Sequence, residues 1–485
     1  MADGVESSKQ TRRTFLSTGT RALGGLAIAN RAIEAISSES PGARNRPNFV
    51  FFLGEGLRAD ELSSTGNKII STPYLDRVVQ EGMSFPNAFV VNALCLPSRA
   101  TILTGLYSHS CGCVDNKDRE IPSNVPTVAD ILRDAGYEVA FFGKAHIKAL
   151  SQRHWDYYFG IEAAGADYYH PLIIESVKGN SQPPQRYDGY VDDVLTDRAL
   201  AWLKGEHTKP FCLFLWFIAP HAPFYRPRRY LDLYDGVYIP KPGTFDDDLK
   251  GYPGKPSGFK EANNKIGTSI MGSDDARSLE ETVKNHYAGV VTNDDCARRV
   301  LETLEHLGKM DDTAIVLSSD HGFFLGEWRL YNKMFMHEPS IRVPLAIRYP
   351  RRIKPGAVST EMVLDLDLAP TILQLAGLKP PDWMQGRSLL PLVDKVPSPR
   401  WREDWLYEYY DDRFAPKMRG IRTGQYKLIE YWNSRQEFEL YDLKADPGEL
   451  RNLYGDPQFG RLTRQLADRM RQLRVETGDV LEVKT

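Results

Sequence analysis

Cysteine is scarce in this chain, and what there is does not pair. Five cysteines in 485 residues, Cys95, Cys111, Cys113, Cys212 and Cys296, are too few and too irregular for a disulfide framework. Cys111-Gly112-Cys113 reads as half of a metal site, but no second cysteine pair completes it. Apolar runs long enough to span a bilayer are missing, so stable membrane insertion is not expected. Neither charge dominates: 61 Lys and Arg against 64 Asp and Glu leave a formal net charge of −3, which argues against a nucleic-acid partner. What remains is an ordinary globular composition, with 42% hydrophobic and 26% charged residues. At this length one large domain plus a smaller one is expected.

The N-terminus carries an address. Thr11-Arg12-Arg13-Thr14-Phe15-Leu16 precedes a short, glycine-diluted apolar run, Leu23 to Ala29. The pattern resembles a twin-arginine export signal over residues 1–35, with Arg21 shortening the apolar segment. It implies the Tat export machinery as a partner and a periplasmic or extracellular bacterial protein; a disordered basic tail is the alternative.

From Asn48 the pattern becomes α/β. Continuous apolar runs at Phe49–Leu53, Val139–Phe142, Phe211–Phe217, Ala314–Leu317 and Val343–Ile347 predict strands buried on both faces. Helical patterns between them, notably Thr127 to Ala135 and Asp294 to Leu307, predict a mostly parallel central sheet flanked by helices. Active sites of such sheets lie beyond the carboxyl ends of the strands. Polar residues do follow the apolar runs there: Glu55, then Lys144 and His146, His221, and Asp320-His321. Past Pro391, short segments at Trp405–Tyr409, Met418–Thr423 and Tyr426–Tyr431 predict an antiparallel sheet, followed by a helix from Phe459 to Thr477. A catalytic domain over 46–393 and a C-terminal subdomain over 400–485 are expected.

The most informative stretch is Cys95-Leu96-Pro97-Ser98-Arg99-Ala100-Thr101-Ile102-Leu103-Thr104-Gly105. It places a cysteine at a predicted helix N-terminus, where backbone N–H groups favour an anion, with Arg99 one turn on. Read by itself, Cys95 could be a thiolate nucleophile, a buried apolar residue or a precursor of another group. The stretch closely resembles the type I sulfatase signature C-x-P-S-R-x-x-x-L-T-G. Further segments match that family in order: Gly143-Lys144-Ala145-His146, Pro220-His221-Ala222-Pro223-Phe224, Ser319-Asp320-His321-Gly322, Lys333, and Leu440-Tyr441-Asp442-Leu443. Asn92 to Cys95, Asp320 to Gly326 and Asp365 to Thr371 most resemble glucosamine-6-sulfatase-like members.

The resemblance implies an alkaline-phosphatase-like fold with a C-terminal antiparallel sheet and helix. It also implies that Cys95 is oxidised to formylglycine by a maturation enzyme. Cys95, Arg99, Lys144, His146, His221 and Lys333 are then the catalytic set. Glu55, Cys95, Asp320 and His321 are the implied ligands of one divalent cation, Ca²⁺ first and Mg²⁺ second. The chemistry suits a sulfate ester, whose sulfonate oxygens need cations and donors around them. Expected substrates are carbohydrate sulfates such as N-acetylglucosamine-6-sulfate, or aryl sulfates. A tyrosine-rich cluster, Trp155, Tyr157, Tyr158, Tyr168 and Tyr169, either stacks on sugar faces or packs in the core.

One segment departs from the family pattern. Two consecutive aspartates are usual after the first strand, and here Glu55-Gly56 stands in their place. Weaker metal binding is therefore expected, with Asp60 as a conceivable substitute ligand. Restoring the carboxylate by Gly56→Asp should raise affinity unless Gly56 needs a backbone angle closed to aspartate. Two alternatives follow: a phosphonate monoester or phosphodiester hydrolase on the same scaffold, and a metal-weakened, non-catalytic binder of sulfated glycans.

Overall fold

The computed structural model describes residues 46–117, 119–245, 254–261, 278–395, 401–411, 415–432 and 435–480. The expected export segment, residues 1–35, lies outside them. Among the described residues an eleven-stranded sheet forms the centre. Its middle is built from β1 (Asn48–Gly54), β2 (Glu138–Lys144), β3 (Tyr157–Ile161), β4 (Phe211–Trp216), β5 (Thr313–Ser319) and β6 (Ala346–Arg348). The order is β6-β5-β1-β4-β2-β3, parallel from β5 to β3, with β6 antiparallel to β5. The run at Val343–Ile347 therefore yields only a short antiparallel strand, and the sheet is mixed.

Alternate residues of β1 feed two cores. Phe49, Phe51 and Leu53 point into one, Val50 and Phe52 into the other, and all are buried. This is why the run is apolar without alternation. Helices cover both faces, including α1 (Pro73–Gln80), α2 (Cys95–Thr104), α3 (Val128–Asp134), α4 (Val191–Leu203), α5 (Leu279–His306) and α6 (Leu368–Leu375). Thr127 caps α3 by accepting from Asp130 N, and the Asp130 side chain accepts in return from Thr127 N. The α5 helix begins fifteen residues before the predicted Asp294, capped by Ser278. No described helix is long and apolar enough to cross a membrane.

The three strands expected after residue 400 form, β7 (Asp404–Tyr409), β8 (Met418–Thr423) and β9 (Tyr426–Tyr431), and a fourth not expected from the sequence, β10 (Phe438–Asp442), completes an antiparallel sheet in sequential order. The last helix, α7 (Gly460–Thr477), buries Leu466, Met470 and Leu473, one stripe of an amphipathic helix. Trp405, Tyr407 and Ile421 of this sheet share the core that lies under β1.

The parallel register decides where the polar residues land. Gly54 pairs with Ser319, while Leu53 and Gly143 both pair with Trp216. Four strands thus end level, and the residues after them face one another.

Candidate active site

One guanidinium ties three strand ends together. Arg99 donates from Nε to Asp320 Oδ2 at 2.9 Å, from Nη2 to Glu55 Oε2 at 2.7 Å, and from Nη1 to the Lys144 carbonyl. Lys144 Nζ reaches Glu55 Oε2 at 2.8 Å, and Lys333 Nζ lies 3.5 Å from Glu55 Oε1. Arg99, Lys144, Glu55 and Asp320 have fully buried side chains. Burial pushes the Glu55 carboxyl up, but Lys144, Lys333 and Arg99 outweigh it and hold it ionised, well below the usual carboxylate range. Cys95 Sγ sits among these groups, 3.1 Å from Glu55 Oε1 and 3.4 Å from His321 Nε2. Burial and Glu55 raise its thiol; Lys144, Lys333 and His321 prevail and lower it well below the ordinary range. The spot favours an anion.

Local structure holds each side chain in place. Leu94 is the extended N-cap of α2, so Cys95 opens the helix. Leu96 N donates to Asn116 Oδ1 at 3.1 Å and Ser98 Oγ to buried Asp365 Oδ2 at 3.3 Å. Asp365 Oδ1 also accepts from Val91 N at 3.2 Å, which binds the strand before the helix to the same carboxylate. His146 adopts a left-handed backbone with φ +54°, a strained conformation of the kind that collects at functional sites. Burial, and then the charge on Lys144, lower its imidazole.

The loop carrying His221 is anchored from outside. Asp192 accepts from Ile218 N at 2.8 Å and Ala219 N at 2.9 Å, Asn293 Nδ2 donates to Ala219 O at 2.8 Å, and the Tyr168 hydroxyl donates to the His221 carbonyl. His221 Nδ1 donates to Ala222 O at 2.5 Å, so the proton sits on Nδ1 and Nε2 lies bare, 3.9 Å from Glu55 Oε1. Burial and then Lys144 push this imidazole down to about 4.

Glu55, Cys95, Asp320 and His321 each offer one ligand atom, all within 4.8 Å of one another. His321 Nδ1 donates to the Gly322 carbonyl at 2.8 Å, which leaves the Nε2 lone pair facing Glu55 Oε1 at 3.3 Å and Asp320 Oδ1 at 3.5 Å. Lone pairs converging in this way repel. With protons alone to relieve that repulsion, burial and the Glu55 charge raise the Asp320 carboxyl, and Asp320 raises His321 against its burial. A divalent cation satisfies all of these donors at once, and a carbonyl fixing the outer nitrogen is what a ligating histidine needs. The residues fit such an ion. Over them opens a cleft of about 440 Å³, with Cys95, His221 and Lys333 at its base and Asn116, Gly165, Asp167 and Met334 among its walls.

The sulfatase family profile matches residues 47–378 and thus most of the chain, and a second profile, N-sulphoglucosamine sulphohydrolase C-terminal, matches 326–476. The chain belongs to the sulfatase family. It is 30% identical over 517 residues to the N-acetylglucosamine-6-O-sulfatase of Bacteroides thetaiotaomicron, covering 94% of this chain and 91% of that one. The human N-acetylglucosamine-6-sulfatase is likewise 30% identical over 460 residues, covering 84% and 81%. A protein solved in complex with its substrate D-glucosamine-2-N,6-O-disulfate superposes with a TM-score of 0.83 at 30% identity, covering 90% of this chain and 99% of that one. Together they make this protein a sulfuric ester hydrolase of alkaline-phosphatase-like fold. The phosphonate monoester hydrolase of Agrobacterium radiobacter shares that fold at 22% identity and a TM-score of 0.73.

All the residues expected in this sulfatase's site from the sequence converge. Three weaker readings of the sequence fall away. Asp60 is no substitute ligand: it pairs with Arg58 at 2.8 Å and its side chain is 62% exposed. Of the aromatic cluster, Trp155, Tyr158 and Tyr168 are buried core residues, so sugar stacking is not their part. Cys111 and Cys113 are buried and belong to no cluster of metal-ligating groups among the described residues. Gly56 has a reason to be glycine. Its φ is +74°, its N–H donates to Asp320 Oδ1 at 3.1 Å, and an added Cβ would lie 3.2 Å from Phe323 Cδ2. Asn116, Asp167 and Asp192 were not singled out from the sequence, and Asp365 was read only as part of a family-like segment, since their roles arise only when distant segments meet.

Proposed function

We propose that this enzyme hydrolyses carbohydrate sulfates, with N-acetylglucosamine-6-sulfate as the leading substrate, through a formylglycine made from Cys95. The observation that carries the reading is Cys95 at the base of an open cleft, ringed by Arg99, Lys144, Lys333, His221 and the ligand group of Glu55, Asp320 and His321. Cys95, as the hydrated aldehyde, supplies two hydroxyls. One, ionised in a site that favours an anion, attacks sulfur as the sulfur–oxygen bond to the sugar breaks, and the other gives up its proton so that the aldehyde reforms and sulfate leaves. A plain thiol or serine ester has no second hydroxyl and no such exit.

Lys144 and Lys333 hold the sulfonate oxygens. His221 protonates the departing sugar oxygen from Nε2; the arriving sulfate monoanion raises its low pKa by placing a negative charge against it. His146 takes the proton of the remaining hydroxyl. Glu55, Asp320, His321 and the oxygen derived from Cys95 would hold the cation, Ca²⁺ before Mg²⁺ given hard oxygens and one imidazole. Bound there, it would supply Lewis-acid stabilisation of the charge on the sulfonate. Residues 46–393 form the catalytic domain and 400–485 the C-terminal subdomain, and residues 1–35 direct Tat export to the periplasm or beyond.

The test is turnover of N-acetylglucosamine-6-sulfate and of an aryl sulfate by protein made with its maturation enzyme. Cys95→Ala should lose several orders of magnitude on both. Equal turnover by wild type and variant contradicts the reading, and faster cleavage of phosphonate esters than of any sulfate ester would favour the phosphonate monoester alternative.

A further inference from the structure

The cleft is charged unevenly. Its cations sit at the base, whereas its walls offer small or apolar residues, namely Leu94, Ala164, Ala166, Ala222 and Pro223, and two polar ones, Asn116 and Asp167. Asn116 gives its carbonyl oxygen to Leu96 N, and among the described residues its amide nitrogen has no protein acceptor. Asp167 Oδ1 accepts from Tyr169 N and His170 N, both at 2.9 Å, and its other oxygen has no protein donor among the described residues. Those two backbone donors come first in lowering its carboxyl below the ordinary range, so it stays ionised. His170 is engaged with Asp188, and Arg186 donates to the His170 carbonyl; neither lines the cleft.

We propose that Asp167 sets substrate choice by rejecting a second anionic group beside the scissile sulfate, so that the preferred sugar is monosulfated and carries a free amine or an uncharged substituent. This rests on the reading of the cleft as a sugar-sulfate site. A ligand seated with its sulfate on Lys333 and His221 extends along a wall that, among the described residues, has one carboxylate and no cation. An ammonium gains from that carboxylate, a hydroxyl or acetamide N–H can donate to it, and Asn116 can donate to a neutral oxygen. An N-sulfate meets like charge. The substrate held by the similar solved protein, glucosamine-2-N,6-O-disulfate, should therefore be a poor one here.

Three sugars separate these outcomes: glucosamine-6-sulfate, N-acetylglucosamine-6-sulfate and glucosamine-2-N,6-O-disulfate. At low salt the wild type should favour the free amine over the disulfate in kcat/KM by at least roughly fivefold, the scale of one solvent-facing charge contact. Asp167→Asn should bring that ratio toward one, Asp167→Lys should invert it, and Asp167→Glu should keep it. Added salt should erode it. Where a sugar is not turned over, its inhibition constant against aryl sulfate hydrolysis ranks it instead, and this ranking serves even if the Asp167 variants fail to fold. A wild type indifferent to the second charge, or a folded Asp167→Asn with an unchanged ratio, overturns the inference while leaving Cys95-dependent sulfatase activity intact. Turnover that survives Cys95→Ala would instead overturn the proposed function.

Discussion

At the residue scale the site is a charge network with one opening. His146 and His221, the histidines near Cys95 that lie outside the candidate ligand group, differ in environment, and the difference predicts separable effects. His221 Nδ1 is committed to Ala222, which leaves Nε2 for a leaving group. His221→Ala should therefore slow sugar sulfates far more than activated aryl sulfates, by about 10²-fold or more, because a good leaving group needs little protonation. Equal loss on both would contradict that role. Gly56 gives the second residue-scale prediction. Its positive φ and the near contact with Phe323 imply that Gly56→Asp destabilises the fold by about 1–2 kcal/mol rather than improving the site. Urea midpoints and calorimetric Ca²⁺ titration check this: affinity should not rise, and Glu55→Ala should abolish binding. The glycine was visible in the sequence as a missing ligand, but its backbone angle was not.

At the element scale, the strands, the cysteine helix and the C-terminal hairpins were legible because each is a run with one period and clear ends. Strand direction at β6 was not, since an apolar run looks alike in either pairing. Also hidden were the buried carboxylates that bind elements together. Asp192 holds the loop of His221, and Glu408 of β7 accepts from His109 Nδ1 at 2.5 Å, while His109 Nε2 meets the Thr477 carbonyl of α7 at 2.9 Å. Burial depresses His109, but Glu408 outweighs it and raises the imidazole above its ordinary value. A raised histidine stabilises fully below its unfolded pKa of about 6.5, and the gain fades as pH rises through the folded value. Wild-type Tm should therefore fall as the pH rises above about 6.5, and His109→Gln should flatten that slope. A variant with the same slope would remove His109 from the linkage.

At the scale of the whole molecule, the C-terminal sheet braces the active site. The Tyr407 hydroxyl accepts from Ala93 N at 3.3 Å and donates to the Met334 carbonyl, so one phenol joins the segment before Cys95 to the segment after Lys333. Glu408 N donates to Val91 O at 2.9 Å, and Lys427 Nζ bonds Glu449 at 2.6 Å and the Met336 carbonyl at 2.7 Å. The segment Leu440 to Leu443, matched in the sequence only as family-like, proves structural: Leu440 N donates to Asn452 Oδ1 at 2.9 Å.

The central claim is that Cys95 is the precursor of the nucleophile, and mass spectrometry of the peptide containing it tests this most directly. Protein made with its maturation enzyme should yield that peptide with the Cys95 CH₂–SH replaced by an aldehyde or its hydrate, reactive toward hydrazide reagents, in proportion to sulfatase activity. Fully active protein whose Cys95 is an unmodified thiol would contradict the account.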